Sequence, residues 1–164
     1  MNLQRIRLII FAAILISVGV ANSKDLGSRL GVGYRNSLVS FDLPSVAVFY
    51  YPSNDFGVFS SLGVDTQEDN SKFALVAGVR RLIFKEENMN FFMGGAVGMV
   101  NQEVATKKDS GFELAALVGG EFFLPGLESL GFNFETGVGI SNVKKTRFRT
   151  LGESFVNAGM AFYF

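Results

Sequence analysis

The sequence predicts an all-β fold, an eight-stranded antiparallel up-and-down transmembrane β-barrel preceded by a cleavable signal peptide. Three observations predict it. Side chains alternate with period two through segment after segment, which is the strand periodicity. Those segments run to about ten residues or more, the length of a tilted strand that crosses a bilayer. Within them the charged residues share a face with the glycines, while the bulky apolar residues fill the other face. A water-soluble barrel has the reverse arrangement.

The first element is a processing segment, residues 1–23. Arg5 and Arg7 form a positive start, and residues 8–20 form an apolar core. Ala21 and Ser23 supply small residues for a cleavage site before Lys24. The apolar core is short for a membrane helix, which needs about 20 residues. The remainder, 24–164, is expected to form a single domain, exported and slightly acidic once Arg5 and Arg7 are gone. With no cysteine, the chain has no lipid-anchoring thiol.

Eight segments follow, each bounded by turn residues: 26–35, 43–51, 56–65, 72–84, 90–102, 110–124, 129–143 and 153–164. In the first, Leu30, Val32 and Tyr34 oppose Arg29, Gly31, Gly33 and Arg35. In the third, Phe56, Val58, Leu62 and Val64 oppose Gly57, Ser61, Gly63 and Asp65. The sixth sets Phe112, Leu114, Ala116, Val118 and Phe122 against Glu113, Ala115, Gly119 and Glu121. In the seventh, Phe132, Phe134, Val138 and Ile140 oppose Asn133, Glu135, Gly137, Gly139 and Ser141. The connections read as alternately short (52–55, 85–88, 125–128) and long (36–42, 65–71, 103–109, 144–152). Short periplasmic turns and longer outer loops obey the outer-membrane rule, so both termini are expected on the periplasmic side. Tyr50, Tyr51, Phe84, Phe91, Phe122, Phe123, Phe132 and Phe162 to Phe164 are expected as an interfacial aromatic girdle. Arg81 falls on the outward parity near the same boundary and reads as an interfacial anchor.

The last segment ends on Phe164, with Phe162, Met160, Ala158 and Val156 at alternate positions before it. Together with the signal peptide and the eight strands, this resembles the small outer-membrane barrels of OmpA/OmpX type. The resemblance implies that the C-terminal strand is recognised by the barrel-assembly machinery. It also implies an integral outer-membrane protein in contact with outer-membrane lipid, expected to be a monomer.

Few residues invite chemistry. The chain has no histidine and no cysteine, which removes the commonest general base, metal ligands and thiol nucleophile. No catalytic, cofactor-binding or metal-binding residue is predicted. Charge is balanced over the chain, which gives no reason to expect nucleic acid as a partner. Inward parity selects Arg29, Arg80, Glu121, Asn133 and Glu135 as a polar cluster in the periplasmic half of the lumen. Buried charges need partners, and an eight-stranded barrel is only wide enough for its own side chains. The cluster is therefore expected to plug the lumen. Lys144, Lys145, Arg147 and Arg149 make the last outer loop basic and suggest contact with the phosphates of lipopolysaccharide. The expected function is structural or surface-interactive and non-catalytic. The competing readings are a narrow passive pore for ions or small solutes and a soluble periplasmic lipocalin-like binder.

Overall fold

The computed structural model describes residues 25–36, 39–105, 107–151 and 156–164, so the signal-peptide assignment, residue 152 of the last expected loop and residues 153–155 of the eighth segment lie outside the described residues. The described residues form nine strands: β1 (Leu30–Arg35), β2 (Ser45–Tyr50), β3 (Phe56–Gln67), β4 (Asn70–Glu86), β5 (Met89–Val104), β6 (Lys107–Leu124), β7 (Leu127–Asn142), β8 (Thr146–Leu151) and β9 (Asn157–Tyr163). Every pairing is antiparallel, and each strand from β1 to β7 pairs with the next. β9 closes the barrel against β1, in a register that sets Gly31 opposite Tyr163. Reciprocal bonds between Leu30 and Phe164 seal the seam (N to O 3.1 and 2.9 Å). Both chain ends of the barrel therefore lie at one end, called here the terminal end; the opposite end is the far end.

Nine strands make eight staves because β8 and β9 share the eighth. β9 pairs with residues 130–135 of β7, and β8 pairs with residues 137–142. From Glu135↔Asn157 to Gly137↔Leu151, two steps along β7 correspond to six along its partner, so the stave carries an insertion at its middle. Thr136 Oγ1 donates to the Leu151 carbonyl (3.1 Å) at that junction.

The connections depart from the sequence reading. Residues 65–71 and 103–109, expected as long outer loops, are mostly strand, with turns at Glu68–Asp69 and at Ala105. Residues 144–152 are largely β8. Among the described residues, the expected alternation of long and short links is not kept: the longer stretch outside strands that remains lies between β1 and β2. The physical reason is that strand pairing does not end where the apolar belt ends. Beyond the belt the outward positions become polar, as at Asn101, Lys108 and Asn142, and the hydrogen-bond ladder runs on. At the terminal end the turns are tight. Pro125 presets its φ and Gly126 takes φ +83°, the arrangement of a type II turn.

Register converts the alternation into surfaces. Val46, Leu62, Leu75, Met99 and Phe112 form one laterally bonded row facing outward across β2 to β6. Ala77, Val97, Leu114, Ile140 and Phe148 continue the belt through β8. These side chains are exposed (Val97 58 %, Phe148 68 %), so the bulk of the apolar surface lies outside the barrel. A bulge at Leu82/Phe84 turns both Ile83 and Phe84 outward.

The inside is not purely polar. Phe49, Tyr51, Phe59, Phe92, Phe123 and Tyr163 are all buried and form the lumen core with Leu26, Val76, Leu117 and Leu151. Inward glycines make the space. A Cβ on Gly31 would sit 2.5 Å from the Tyr163 ring, and one on Gly78 would sit 2.4 Å from the Phe59 ring. This corrects the expected girdle, since Tyr51, Phe123 and Tyr163 face the lumen. Successive residues of a strand point to opposite faces, so Tyr50 and Tyr51, or Phe122 and Phe123, cannot both reach lipid. Tyr50, Phe84, Phe91, Phe162 and Phe164 are the exposed members.

Candidate functional site: the lumen and the far rim

Three buried carboxylates divide the lumen into layers, and each is met by a different kind of donor. Nearest the terminal end, Glu121 on β6 accepts from the Tyr163 hydroxyl (Oε1, 2.6 Å) and, more weakly, from the Tyr51 hydroxyl (Oε2, 3.4 Å). Asn90 and Asn133 flank Glu121 in register, with buried amide groups. Tyr163 also packs against Tyr51, Phe49 and Phe123 with ring centroids 6.0–6.4 Å apart.

The middle layer is an ion triad. Glu135 Oε1 accepts from Arg35 Nη2 (2.6 Å) and Nε (3.1 Å), and its Oε2 accepts from Arg80 Nη2 (3.1 Å). All three side chains are at most 2 % exposed. Two like charges on one carboxylate leave an excess positive charge, which aromatic faces accommodate. The Arg35 guanidinium lies 4.2 Å over Phe59, and that of Arg80 lies 4.3 Å from Phe92 and 4.7 Å from Phe49. The negative faces of these rings favour a cation, with most effect where water is excluded.

Towards the far end, Glu113 Oε2 accepts from the backbone of Val39 (3.1 Å) and from both the backbone and the hydroxyl of Ser40 (3.0 and 2.9 Å). Arg149 Nη1 donates to the Val39 carbonyl (3.2 Å). The β1–β2 connection is thereby drawn into the mouth, where Val39 fills the space left by Gly139.

Of the residues selected by parity, Arg80, Glu121, Asn133 and Glu135 lie buried in the lumen, across its terminal and middle layers. Arg29 is only half-buried, outside β1, and takes no part in the triad. The position that meets Glu135 is Arg35, at the opposite end of β1. Parity marked Arg35 as inward too; what it lacked was height, because strand tilt brings the top of β1 level with the middle of β7. Glu113 was likewise inward by parity, but its partners are backbone amides of a loop, which no side-chain pattern announces.

The four basic residues of 144–149 do not act as one loop patch. Arg149 points inward to Val39, and Lys144 pairs with Asp109 of β6 (3.3 Å). Lys145 and Arg147 are exposed. Lys107 joins them around a cup of about 800 Å³ on the far rim, with Phe41 and Val143 among its lining. Along β9 and the residues that flank it, Val156, Ala158, Met160, Phe162 and Phe164 all face outward, and Asn157 faces in.

No protein-family model and no curated protein sequence matches the chain. Among solved structures, the N-terminal β-barrel domain of Pseudomonas aeruginosa OprF aligns with a TM-score of 0.57 at 12 % identity, covering 84 % of this chain and 98 % of that one. Neisserial surface protein A aligns with a TM-score of 0.44 at 11 % identity, covering 83 % of this chain and 95 % of that one. The chain thus has the closed, eight-stranded, up-and-down barrel fold of the small OmpA-type outer-membrane proteins.

Proposed function

We propose that this protein is an integral outer-membrane barrel with a sealed lumen, whose role is structural and surface-interactive, not catalytic. The carrying observation is the inversion of its surfaces. A continuous apolar belt faces outward, and the three buried carboxylates of the lumen, Glu113, Glu121 and Glu135, are taken up by the barrel's own donors. Exposed apolar surface of this extent suits hydrocarbon, and a closed barrel leaves few backbone groups unpaired there. In this reading the terminal end is periplasmic, the barrel is a monomer in outer-membrane lipid, and the alternate outward residues of β9 ending on Phe164 are read by the assembly machinery. On the far rim, Lys107, Lys145 and Arg147 contact phosphate groups of lipopolysaccharide, as the charge of the cup favours. The decisive experiment combines extraction with conduction. Detergent-extracted protein should migrate differently on gels before and after heating, and liposomes carrying it should not swell in small sugars. Recovery without detergent, or steady swelling, would refute the reading.

A further inference from the structure

The outward face carries one charge out of place. Among the described residues, Arg81 is the one charged side chain set within the apolar belt. Val79 and Ile83 neighbour it along β4, and Phe56 and Met93 lie across from it in register. It is exposed and on the outside, opposite in facing to Arg80 beside it. Arg81 lies close enough to Asp55 to attract it, but Asp55 takes its hydrogen bond from Lys85. Glu86 is five residues further along β4, about 16 Å away at strand rise. A guanidinium in this setting is costly unless an anion meets it.

Arg81 also stands at the mouth of a groove. The laterally bonded row Val79–Gly95–Ala116–Val138 crosses β4 to β7, and its two central positions are small. Met93 and Val118 raise one wall, and the trough holds about 610 Å³, almost wholly apolar. Three interstrand spacings make it about 14 Å long. The row climbs away from the terminal end: Val79 lies seven residues from Glu86, where β4 ends there, whereas Val138 lies eleven residues into β7. A second apolar groove of about 430 Å³, over Ala77 and Gly98, has no cation at its edge, so groove size alone does not single out the first.

We infer that this groove is a retained-lipid site, in which a diacyl phospholipid sets its phosphate on Arg81 and lays one acyl chain along Gly95 and Ala116. A planar guanidinium pairs with phosphate bidentately, and an outward apolar trough beginning at the cation matches the order of headgroup and chain. The inference rests on the membrane reading above and assigns the lipid to the leaflet at the terminal end. The test uses the full chain, reconstituted in vesicles of phosphatidylglycerol and phosphatidylethanolamine and released into mild detergent for native mass spectrometry. One phospholipid should remain on the barrel. Arg81→Gln should lower the occupied fraction at least fivefold, Arg81→Lys should keep most of it, and Gly95→Leu should lower it with the charge intact. A Cβ at Gly95 meets the Ala115 carbonyl only at 3.4 Å, an ordinary contact, so that variant should fold, which its heat-dependent migration checks. Equal retention by wild type and Arg81→Gln, or no retention by folded wild type, would overturn the site. Wild type that needs no detergent and shows no heat-dependent migration would instead overturn the membrane reading.

Discussion

Replacing Glu135 by glutamine tests whether the middle of the lumen is held by charge. The amide side chain would keep the shape and one acceptor, while two guanidinium groups would lose their only buried anion partner in the triad. Three charge-assisted hydrogen bonds are affected. Removing one partner of a buried pair costs about 3–5 kcal/mol. The aromatic faces over Arg35 and Arg80 survive the change and offset some of this, at about 0.5–2 kcal/mol per contact. The expected net cost is about 3 kcal/mol. Arg80→Met should cost less, about 2 kcal/mol, because Glu135 keeps both of its bonds from Arg35 and the methionine fills the space among Phe49, Phe59 and Phe92. Unfolding in urea from lipid vesicles, followed by far-ultraviolet circular dichroism, measures both. With a slope of about 2 kcal/mol per molar, the Glu135→Gln midpoint should fall by about 1.5 M. A Glu135→Gln midpoint equal to wild type, or above that of Arg80→Met, would refute the triad as an energetic element.

Tyr163→Phe should cost about 1.5–3 kcal/mol in the same assay, since it removes the 2.6 Å bond to a buried carboxylate, whereas Tyr51→Phe, at 3.4 Å, should cost distinctly less. Gly78→Val should fail to yield a folded, heat-modifiable band, because its side chain would enter the Phe59 ring. At the terminal end, hydrogen bonding and the charge of Lys85 hold the exposed Asp55 carboxyl below the usual carboxylate range. A depressed folded-state value means that this contribution is present above the unfolded value and is lost as pH falls through the folded one. Carboxyl-detected titration should show the Asp55 value rising towards normal in Lys85→Met; an unchanged value would break the assignment.

The parity of the strands was legible because one face of each carries the bulky apolar outer belt and the other packs a crowded interior. Phe112 to Val118 and Val156 to Phe164 alternate cleanly, Phe132 to Ile140 does so apart from Thr136, and their exposure follows. Height along the barrel axis was much less legible. Parity places Arg29 and Arg35 on the same face, but only tilt and register decide which is level with Glu135. Link lengths failed for a related reason. Residues such as Thr66, Ser71 and Lys107 read as loop because they are polar, yet the ladder Gln67↔Asn70 and Val104↔Lys107 continues to the tips. Polarity there marks the end of the apolar belt, not the end of the strand. Paired aromatics misled where residue type outweighed position, as at Tyr51 and Tyr163.

The three luminal layers bear on why a barrel should carry so much buried charge at all. An apolar filling of phenylalanines and leucines would pack the same volume without desolvating any ion, and such replacements are often neutral or stabilising. What ionic layers add is register. Each carboxylate ties together elements that are distant in sequence: Glu135 ties β7 to β1 and β4, Glu121 ties β6 to β9, and Glu113 ties β6 to the β1–β2 connection. A slip of one residue would turn each of these groups out of the lumen and its apolar neighbours in. The seam between β1 and β9 needs that protection most, because its two strands come from opposite ends of the sequence and pair over only four residues. Arg35 and Tyr163 stand one on each side of that seam, and each is held by a carboxylate from a strand outside it. The buried charges thus sit where a closed sheet is hardest to align, which accounts for them as determinants of closure without assigning them transport.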